Sequence, residues 1–501
     1  MSSVAQKSEH SLFHSLALIS ASNAALQLLG FVFRILLARS ISAEALGTYH
    51  LILPFYSVLT SITLTGLTVA VSRLTASYNK CGDRNSAVFS VFRARRLFFF
   101  LLSLIAIPVI FFRRGISEKL LSISGASLSF FPLLFCLFLT GTENISKQFF
   151  YGIGKVLPQI VTELSEQIIR AAAVLSLLEF FKPESPTVAS FLIISGMVVS
   201  ELSSVSILYF FFRRERRGVI KSKKPKYAKL LSISLPISLA AFLNNLLSMA
   251  NSALIPSGLR LFGMSAVAAT ESFGVMFGMT FPLLSFPIAF IASLSSVMVP
   301  KMSETLAQNN MSGLRRKAGK SIHTVGLIAM PFFALIIELA NPICMLLWKN
   351  PSPARFILPL ALGTLFTYYE IVCGSLLNAI GCERESALYI VVCGTVQLIF
   401  TFAVKNFGMS AFVCGFVVSN FLGAVLNTLC LMRKTKLRFR FSNWVLRPLL
   451  ASAICLFISG IVYRGIASLL LSAISGLLAY YLTLSFLGTD FFRYIKTINS
   501  H

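Results

Sequence analysis

Four positions in the first apolar stretch of the chain could hold a charged ligand. Asn23, Gln27, Gly30 and Arg34 fall at i, i+4, i+7 and i+11, a spacing that places them on one face of a helix. The face ends in a cation, and the stretch contains no acid to neutralise it. A guanidinium beside side-chain amides offers the hydrogen-bond donors that an anion needs. The pattern therefore predicts an anion-binding face in a water-filled cavity.

Arg34 has two other interpretations that the residues leave open. Its side chain could pair with a glutamate of another segment, because an ionisable group in a membrane segment needs a cavity or a partner. It could also extend along the helix to the membrane surface, since Arg39 lies only five residues away.

A second polar set, Glu163, Glu166 and Arg170, lies further along the chain. Glu166 and Arg170 are four residues apart in the favourable order for an ion pair within one helix. We therefore expect this pair to form, with Glu163 as the freer acid and ion coupling as the alternative role.

A third polar face comprises Asn244, Ser248 and Asn251, which are spaced for one side of a helix. Such groups either line a cavity or join neighbouring helices. Glu271 is a further candidate for coupling to H⁺ or Na⁺, although nothing in the sequence selects it over three other acids: Glu201, Glu338 and Glu370.

The motifs of catalysis and of metal binding are absent from the sequence. It contains no G-x-x-x-x-G-K-[ST] motif and no C-x-x-C pair among its nine cysteines. His50 and His323 stand alone. We therefore expect a protein that is not an enzyme and that uses no cofactor or metal.

The composition places these residues in an integral membrane protein. Of the 501 residues, 56% are hydrophobic and only 12% are charged, against about 25% charged in ordinary globular domains. We predict an all-α, polytopic fold. Its fourteen membrane-spanning helices lie near residues 13–38, 47–71, 97–112, 120–140, 158–178, 187–212, 230–256, 271–299, 322–347, 356–380, 387–404, 407–432, 444–463 and 466–488.

The distribution of basic residues predicts the orientation. With the N-terminus inside, the inner connections hold about three times as many Lys and Arg as the outer ones, as cytoplasmic loops do. This bias accounts for the net charge of +26 without a nucleic-acid partner. Both termini are expected in the cytoplasm, and the first apolar stretch is too long for a cleavable signal.

The chain is predicted to contain two parallel repeats of six helices. Pro54 and Pro282 are separated by the same number of residues as Arg73 and Lys301. An even number of spans gives both repeats one direction through the membrane. The predicted parts are an N-terminal lobe (1–212), a basic cytoplasmic linker (213–229), a C-terminal lobe (230–432) and a C-terminal helix pair with a tail (433–501).

Three stretches carry a resemblance to a known family. Residues 30–73, beginning GFVFRILLARSISAEALG, residues 149–170, and residues 243–304, beginning LNNLLSMANSALIPSG, resemble the stage V sporulation protein B-like polysaccharide flippases. These belong to the multidrug/oligosaccharidyl-lipid/polysaccharide (MOP) exporter superfamily and are related to lipid II flippases. The similarity weakens across the last two spans.

The resemblance implies a monomeric flippase in a bacterial cell membrane, surrounded by its lipids. Such proteins move undecaprenyl-pyrophosphate-linked oligosaccharides or peptidoglycan precursors from the inner to the outer leaflet by alternating access. The products serve cell-wall, spore-cortex or surface-polysaccharide synthesis. Lipid II flippases carry several cavity arginines, whereas here only Arg34 fits that role and the eighth helix offers Glu271. That difference leaves the glycan open.

Two alternative functions remain at this point. A cation-coupled multidrug or metabolite antiporter would depend on a buried acid more than on Arg34. A membrane scaffold that does not transport would recruit cell-wall enzymes through the basic linker, which could equally be an anchor near anionic lipid.

Overall fold

The computed structural model describes residues 2–123, 125–216 and 227–488. Side chains are described from residue 21 onward, except at positions 289, 290, 293, 296 and 297. All regular secondary structure in the described ranges is helical. The predicted all-α fold is confirmed. Most of the predicted basic linker, at residues 217–226, lies outside the described residues.

The first of two compact units covers Met1–Gly278. Its helices are α1 (Ser2–Ser40), α2 (Ala43–Thr60), α3 (Gly66–Lys80), α4 (Arg84–Phe111), α5 (Arg113–Gly115), α6 (Phe130–Gly152), α7 (Leu157–Phe181), α8 (Pro186–Arg216), α9 (Tyr227–Leu261) and α10 (Ala266–Gly274). Short π-helical segments at Ser61–Thr65 and Ile116–Leu120, and a 3₁₀ turn at Ala126–Ser129, complete it.

The second unit covers Met279–His501. It contains α11 (Phe281–Leu284), α12 (Ile288–Ala307), α13 (Met311–Glu338), α14 (Ala340–Trp348), α15 (Ala354–Ala379), α16 (Glu383–Phe402), α17 (Val404–Phe407), α18 (Met409–Thr435), α19 (Arg447–Ile466) and α20 (Leu469–Phe486). π-Helical segments occur at Val275–Thr280, where the two units meet in sequence, and at Ser442–Leu446.

Thirteen helical segments in the described part of the chain are long and apolar enough to cross a membrane. The one predicted span that is not among these thirteen is the fifth, near residues 158–178, which corresponds to α7; this helix has 25 residues but carries several charges. A multi-pass membrane protein with about fourteen spans is therefore the observed architecture.

The fourth span differs in position from the prediction. It was expected near residues 120–140, whereas α6 runs from Phe130 to Gly152. The Ser- and Gly-rich residues before it form a turn at Gly125, whose φ is +83°, followed by the 3₁₀ segment. As a result Glu143 and Lys147, which the prediction placed in a loop, lie within a buried part of α6.

Helix packing within each unit positions the polar residues. In the first unit α8 packs against both α6 and α7, and α1 packs against α7. In the second unit α18 packs in the same way against both α15 and α16. The predicted repeat would give this correspondence between the two units. The last two helices pack on each other and on α13, where the buried Tyr480 hydroxyl donates to the carbonyl of Leu327. The division into lobes and linker stays a prediction.

Candidate functional site

The exposed surface of α1 has two opposite faces. Asn23, Gln27 and Arg34 are exposed on one face. Leu28, Val32 and Leu36, which are 55%, 45% and 38% exposed, lie on the opposite side of the helix. A helix in a bilayer places its apolar exposed side against lipid. The polar face of α1 is therefore turned away from lipid, which is the position expected for a face that lines a water-filled cavity.

Arg34 lies on this polar face without an ion-pair partner among the described residues. No described carboxylate oxygen is within 4.0 Å of its guanidinium, whereas Lys147 and Arg170, the other basic side chains inside the helices of the first unit that form ion pairs, each contact glutamates. The alternative in which Arg34 pairs with a glutamate is therefore not observed among the residues that the structure describes.

Helix α9 repeats the two-faced arrangement of α1. Asn244 and Ser248 are exposed and Asn251 is half-buried on one face. The opposite face carries three exposed leucines: Leu235, Leu239 and Leu246. The side chain of Asn251 donates to the carbonyl of Leu247 one turn earlier.

The polar faces of α1 and α9 also match in sequence. Asn23 and Asn251, and likewise Gly30 and Gly258, are separated by the same number of residues as Pro54 and Pro282. Together with Pro54/Pro282 and Arg73/Lys301, four pairs of positions share this separation, as the predicted repeat would give; the repeat stays a prediction.

Close contacts hold α9 against α2 and α3. The Asn245 side chain, which lies beside the polar face, donates to the carbonyl of Ser57 at 3.1 Å. The amide of Gly66 donates to the hydroxyl of Ser238 at 3.1 Å. A Cβ on Gly66 would lie 2.0 Å from the carbonyl oxygen of Ser234, so only glycine permits this approach. These contacts fix the rotation of α9 and therefore the direction of its polar face.

A separate group of charged side chains is buried where α6, α7 and α8 meet. Lys147 Nζ lies 2.5 Å from Glu143 Oε1 and 3.2 Å from Glu166 Oε2. Arg170 pairs with the other oxygen of Glu166, as predicted, and lies 3.6 Å from Glu201 Oε1. We call these five residues the buried charge cluster.

Glu163 lies at the rim of the buried charge cluster. Its side chain is 26% exposed, accepts a hydrogen bond from Gln159, and is 4.0 Å from Lys147. It is thus less tightly paired than Glu166, as expected.

The other acids that the sequence singled out do not join this cluster. Glu271 is exposed on α10, and no described cation lies within 4.0 Å of it. Glu338 pairs with Arg464 at 3.3 Å in the second unit. Glu370 packs against Gly423, where a Cβ would meet its carboxylate at 2.7 Å.

Sequence reasoning missed Glu143 and Lys147. The available signal was their spacing, because an acid four residues before a lysine is a favourable helical pair. The misplaced fourth span concealed that signal by assigning Lys147 to a loop.

Long apolar helices with charged and amide side chains inside them define a multi-pass membrane protein. The chain belongs to the polysaccharide biosynthesis protein family, whose sequence profile matches residues 12–306. The predicted family resemblance is thereby confirmed.

Curated relatives come from Bacillus subtilis (strain 168). Stage V sporulation protein B is 23% identical over 88% of this chain and 87% of its own length. Sporulation protein YkvU is 22% identical over 72% of this chain and 80% of its own length.

Two solved structures share the fold. The lipid II flippase MurJ, in an inward closed conformation, has a TM-score of 0.69 at 14% identity and covers 94% of this chain and 98% of its own. An inward-facing MATE family multidrug resistance transporter of the MOP superfamily has a TM-score of 0.69 at 13% identity, covering 83% and 98%. At these identities the likeness concerns the fold alone.

Proposed function

We propose that this protein is a flippase that moves an undecaprenyl-pyrophosphate-linked oligosaccharide or peptidoglycan precursor from the inner to the outer leaflet of a bacterial cell membrane. The observation that carries the proposal is the exposed Arg34 on the polar face of α1, which has no ion-pair partner in the described part of the chain. The mechanism is alternating access, with both termini cytoplasmic and the protein acting as a monomer. It is a transporter, with no chemical step on its substrate.

The charge of the substrate explains why a cationic cavity is needed. A pyrophosphate carries about two negative charges, and each charge costs at least ~3 kcal/mol at the centre of a bilayer on insertion scales. Arg34 compensates part of this charge, and the amides of Asn23 and Gln27 donate hydrogen bonds to phosphate or sugar oxygens. Asn244, Ser248 and Asn251 serve the same purpose from α9, while the polyprenyl tail remains in the lipid.

The comparisons support this class of substrate. The family takes its name from polysaccharide biosynthesis, and one protein of the same fold is named a lipid II flippase. The flippase structure covers more of this chain than the MATE transporter does. This difference favours the view that the flippase also contains a counterpart of the C-terminal helix pair of this chain.

A binding measurement tests the role of Arg34. Purified protein in detergent is titrated with a short-chain prenyl-pyrophosphate oligosaccharide, and the change in thermal stability reports binding. We expect the wild type to be stabilised and Arg34→Ala to bind at least ~10-fold more weakly, as loss of one charge-assisted contact of about 1.5–3 kcal/mol implies. Arg34→Lys should bind at an intermediate level.

The matched control is Val32→Ala on the opposite, apolar face of α1, which should bind as the wild type does. Unchanged binding by Arg34→Ala would remove the assignment of the anion site.

A cation-coupled antiporter is the second candidate, because the buried charge cluster contains one more acid than it contains cations. In that case a lipophilic drug cation would stabilise the protein, the prenyl pyrophosphate would not, and Glu201→Gln would weaken binding more than Arg34→Ala.

A further inference from the structure

The buried charge cluster is not balanced in charge. Three carboxylates, those of Glu143, Glu166 and Glu201, are 1%, 8% and 4% exposed as whole residues. They face two cations, Lys147 and Arg170. If all were ionised, one negative charge would remain without a counterion inside the helix bundle, where an unpaired charge is costly.

The unbalanced charge falls on Glu143 and Glu201. Both oxygens of Glu166 are engaged by Lys147 and Arg170. In contrast, Oε2 of Glu201 is buried and has no hydrogen-bond partner among the described residues. Oε1 of Glu143 is also buried without a hydrogen-bond partner, although it lies close to the ammonium group of Lys147. One carboxylate oxygen from each of the three glutamates lies within 4.8 Å of the others.

No third cation among the described residues pairs with these acids. Arg95 on α4 donates to Ser146 and lies over the ring of Phe212, and no described carboxylate is within 4.0 Å of it. Arg34 on α1, which packs against α7, likewise has no described carboxylate within 4.0 Å. Glu163 at the rim adds a further acid, 4.0 Å from Lys147. The other titratable neighbours are a thiol and two phenols, those of Cys136, Tyr49 and Tyr56, and Tyr56 donates to Thr140.

A metal ion fits this place less well than a proton does. Hard cations such as Ca²⁺ and Mg²⁺ take six or more oxygen ligands, whereas Lys147 and Arg170 already occupy Glu166. A proton requires only one donor oxygen and one acceptor oxygen. Two carboxyl groups that share a buried site keep such a proton readily, because both cannot ionise without repulsion.

We infer that Glu143 and Glu201 form a proton-binding pair in the first unit, in which one carboxyl group is protonated and donates to the other. The proton is taken from water and returned to it, so no other reactant is involved. Neither glutamate belongs to the polar faces of α1 and α9, and the existence of the pair does not depend on the proposed function.

Infrared difference spectroscopy of the full protein in lipid nanodiscs tests the pair directly. The wild type at neutral pH should show the carbonyl stretch of a protonated carboxyl group, shifted in D₂O. Glu143→Gln and Glu201→Gln should each remove an intensity equal to one carboxyl group, because the new amide donates to the remaining carboxylate. The matched control is Glu179→Gln, an exposed acid on α7, which should leave the band unchanged.

Several outcomes would overturn the inference. One is a wild type without the band, and another is a band that survives both substitutions. A third is a band that disappears when Na⁺ is added at constant pH, since that result would assign the site to a metal cation. Thermal unfolding of both variants close to that of the wild type excludes misfolding as the cause of a lost band.

Coupling of this proton to transport rests on the proposed function and is measured separately. In proteoliposomes, a pH gradient should accelerate leaflet exchange of the prenyl-pyrophosphate oligosaccharide by the wild type but not by Glu201→Gln. Equal acceleration of both proteins would contradict coupling. Absence of exchange in the wild type would contradict the proposed function, while the infrared band would still decide the proton pair.

Discussion

At the scale of single residues, Lys147 joins three acids. Its ammonium group lies 2.5 Å from Glu143, 3.2 Å from Glu166 and 4.0 Å from Glu163. A buried cation with several carboxylate contacts is desolvated together with its partners, so its removal leaves negative charges without compensation. Lys147 therefore stabilises the contact between α6 and α7.

Substitution of this lysine should destabilise the first unit. We expect Lys147→Met to lower the free energy of unfolding by about 3–5 kcal/mol, the usual result of breaking a buried ion pair from one side. Thermal or SDS-induced unfolding in detergent measures the change. Lys155→Met is the control, because Lys155 pairs with Glu215 at an exposed position and such pairs contribute about 0–1 kcal/mol. Equal losses in the two variants would contradict the role of Lys147.

Part of this residue-scale arrangement could be predicted from the sequence. The Glu166–Arg170 pair follows from helical spacing alone. The contacts of Lys147 with α7 and of Arg170 with Glu201 on α8 join different helices, and single-helix periodicity contains no information about such pairings. Whether Arg34 has a partner likewise depends on which helices surround α1.

At the scale of elements, α2 and α10 approach each other more closely than side chains would allow. A Cβ on Gly274 would lie 2.0 Å from the carbonyl oxygen of Ala43 and 2.6 Å from the amide nitrogen of Gly47. Both atoms belong to the backbone, which cannot rotate away as a side chain can. Glycine at this position is therefore a requirement of the α2–α10 contact.

Enlarging that glycine should separate the two helices. We expect Gly274→Ala to lower the free energy of unfolding by about 1–3 kcal/mol through overpacking. Gly30→Ala on α1 is the control, since nothing lies within 4 Å of its Cβ position and alanine favours a helix interior by about 0.5–1 kcal/mol. Differential scanning fluorimetry measures both variants. A Gly274→Ala protein as stable as Gly30→Ala would show that the helices can move apart without cost.

The number of membrane helices was predictable, whereas their ends were not. Each span needs about 20 apolar residues, and that requirement is visible in the sequence. The end of α6 is set instead by partners that let Glu143 and Lys147 remain inside a helix, so hydropathy placed it too early. The helical segment from Ala43 to Lys80 is likewise longer than the span that was predicted near residues 47–71.

At the scale of the whole molecule, orientation is the property on which the direction of transport depends. The excess of basic residues in alternate connections predicts cytoplasmic termini. Cys81, in the connection between α3 and α4, is exposed and lies on the predicted cytoplasmic side.

Thiol labelling measures this orientation. In a Cys414→Ser background, a membrane-impermeant maleimide should label Cys81 in inverted vesicles and not in intact cells. A second variant, with Cys81→Ser and Glu184→Cys, moves the thiol to the connection between α7 and α8 and should show the reverse pattern. Labelling of Cys81 from outside the cell would invert the proposed orientation and with it the direction of transport.

The central claim, movement of a lipid-linked glycan between leaflets, is tested most directly with purified protein in liposomes. A fluorescent undecaprenyl-pyrophosphate oligosaccharide is distributed in both leaflets, and an impermeant reagent destroys the fluorescence of the outer one. We predict that with the protein nearly all fluorescence is lost over time, whereas protein-free liposomes and Arg34→Ala retain the inner-leaflet share. Retention of that share by the folded wild-type protein, with or without a pH gradient, would contradict the claim.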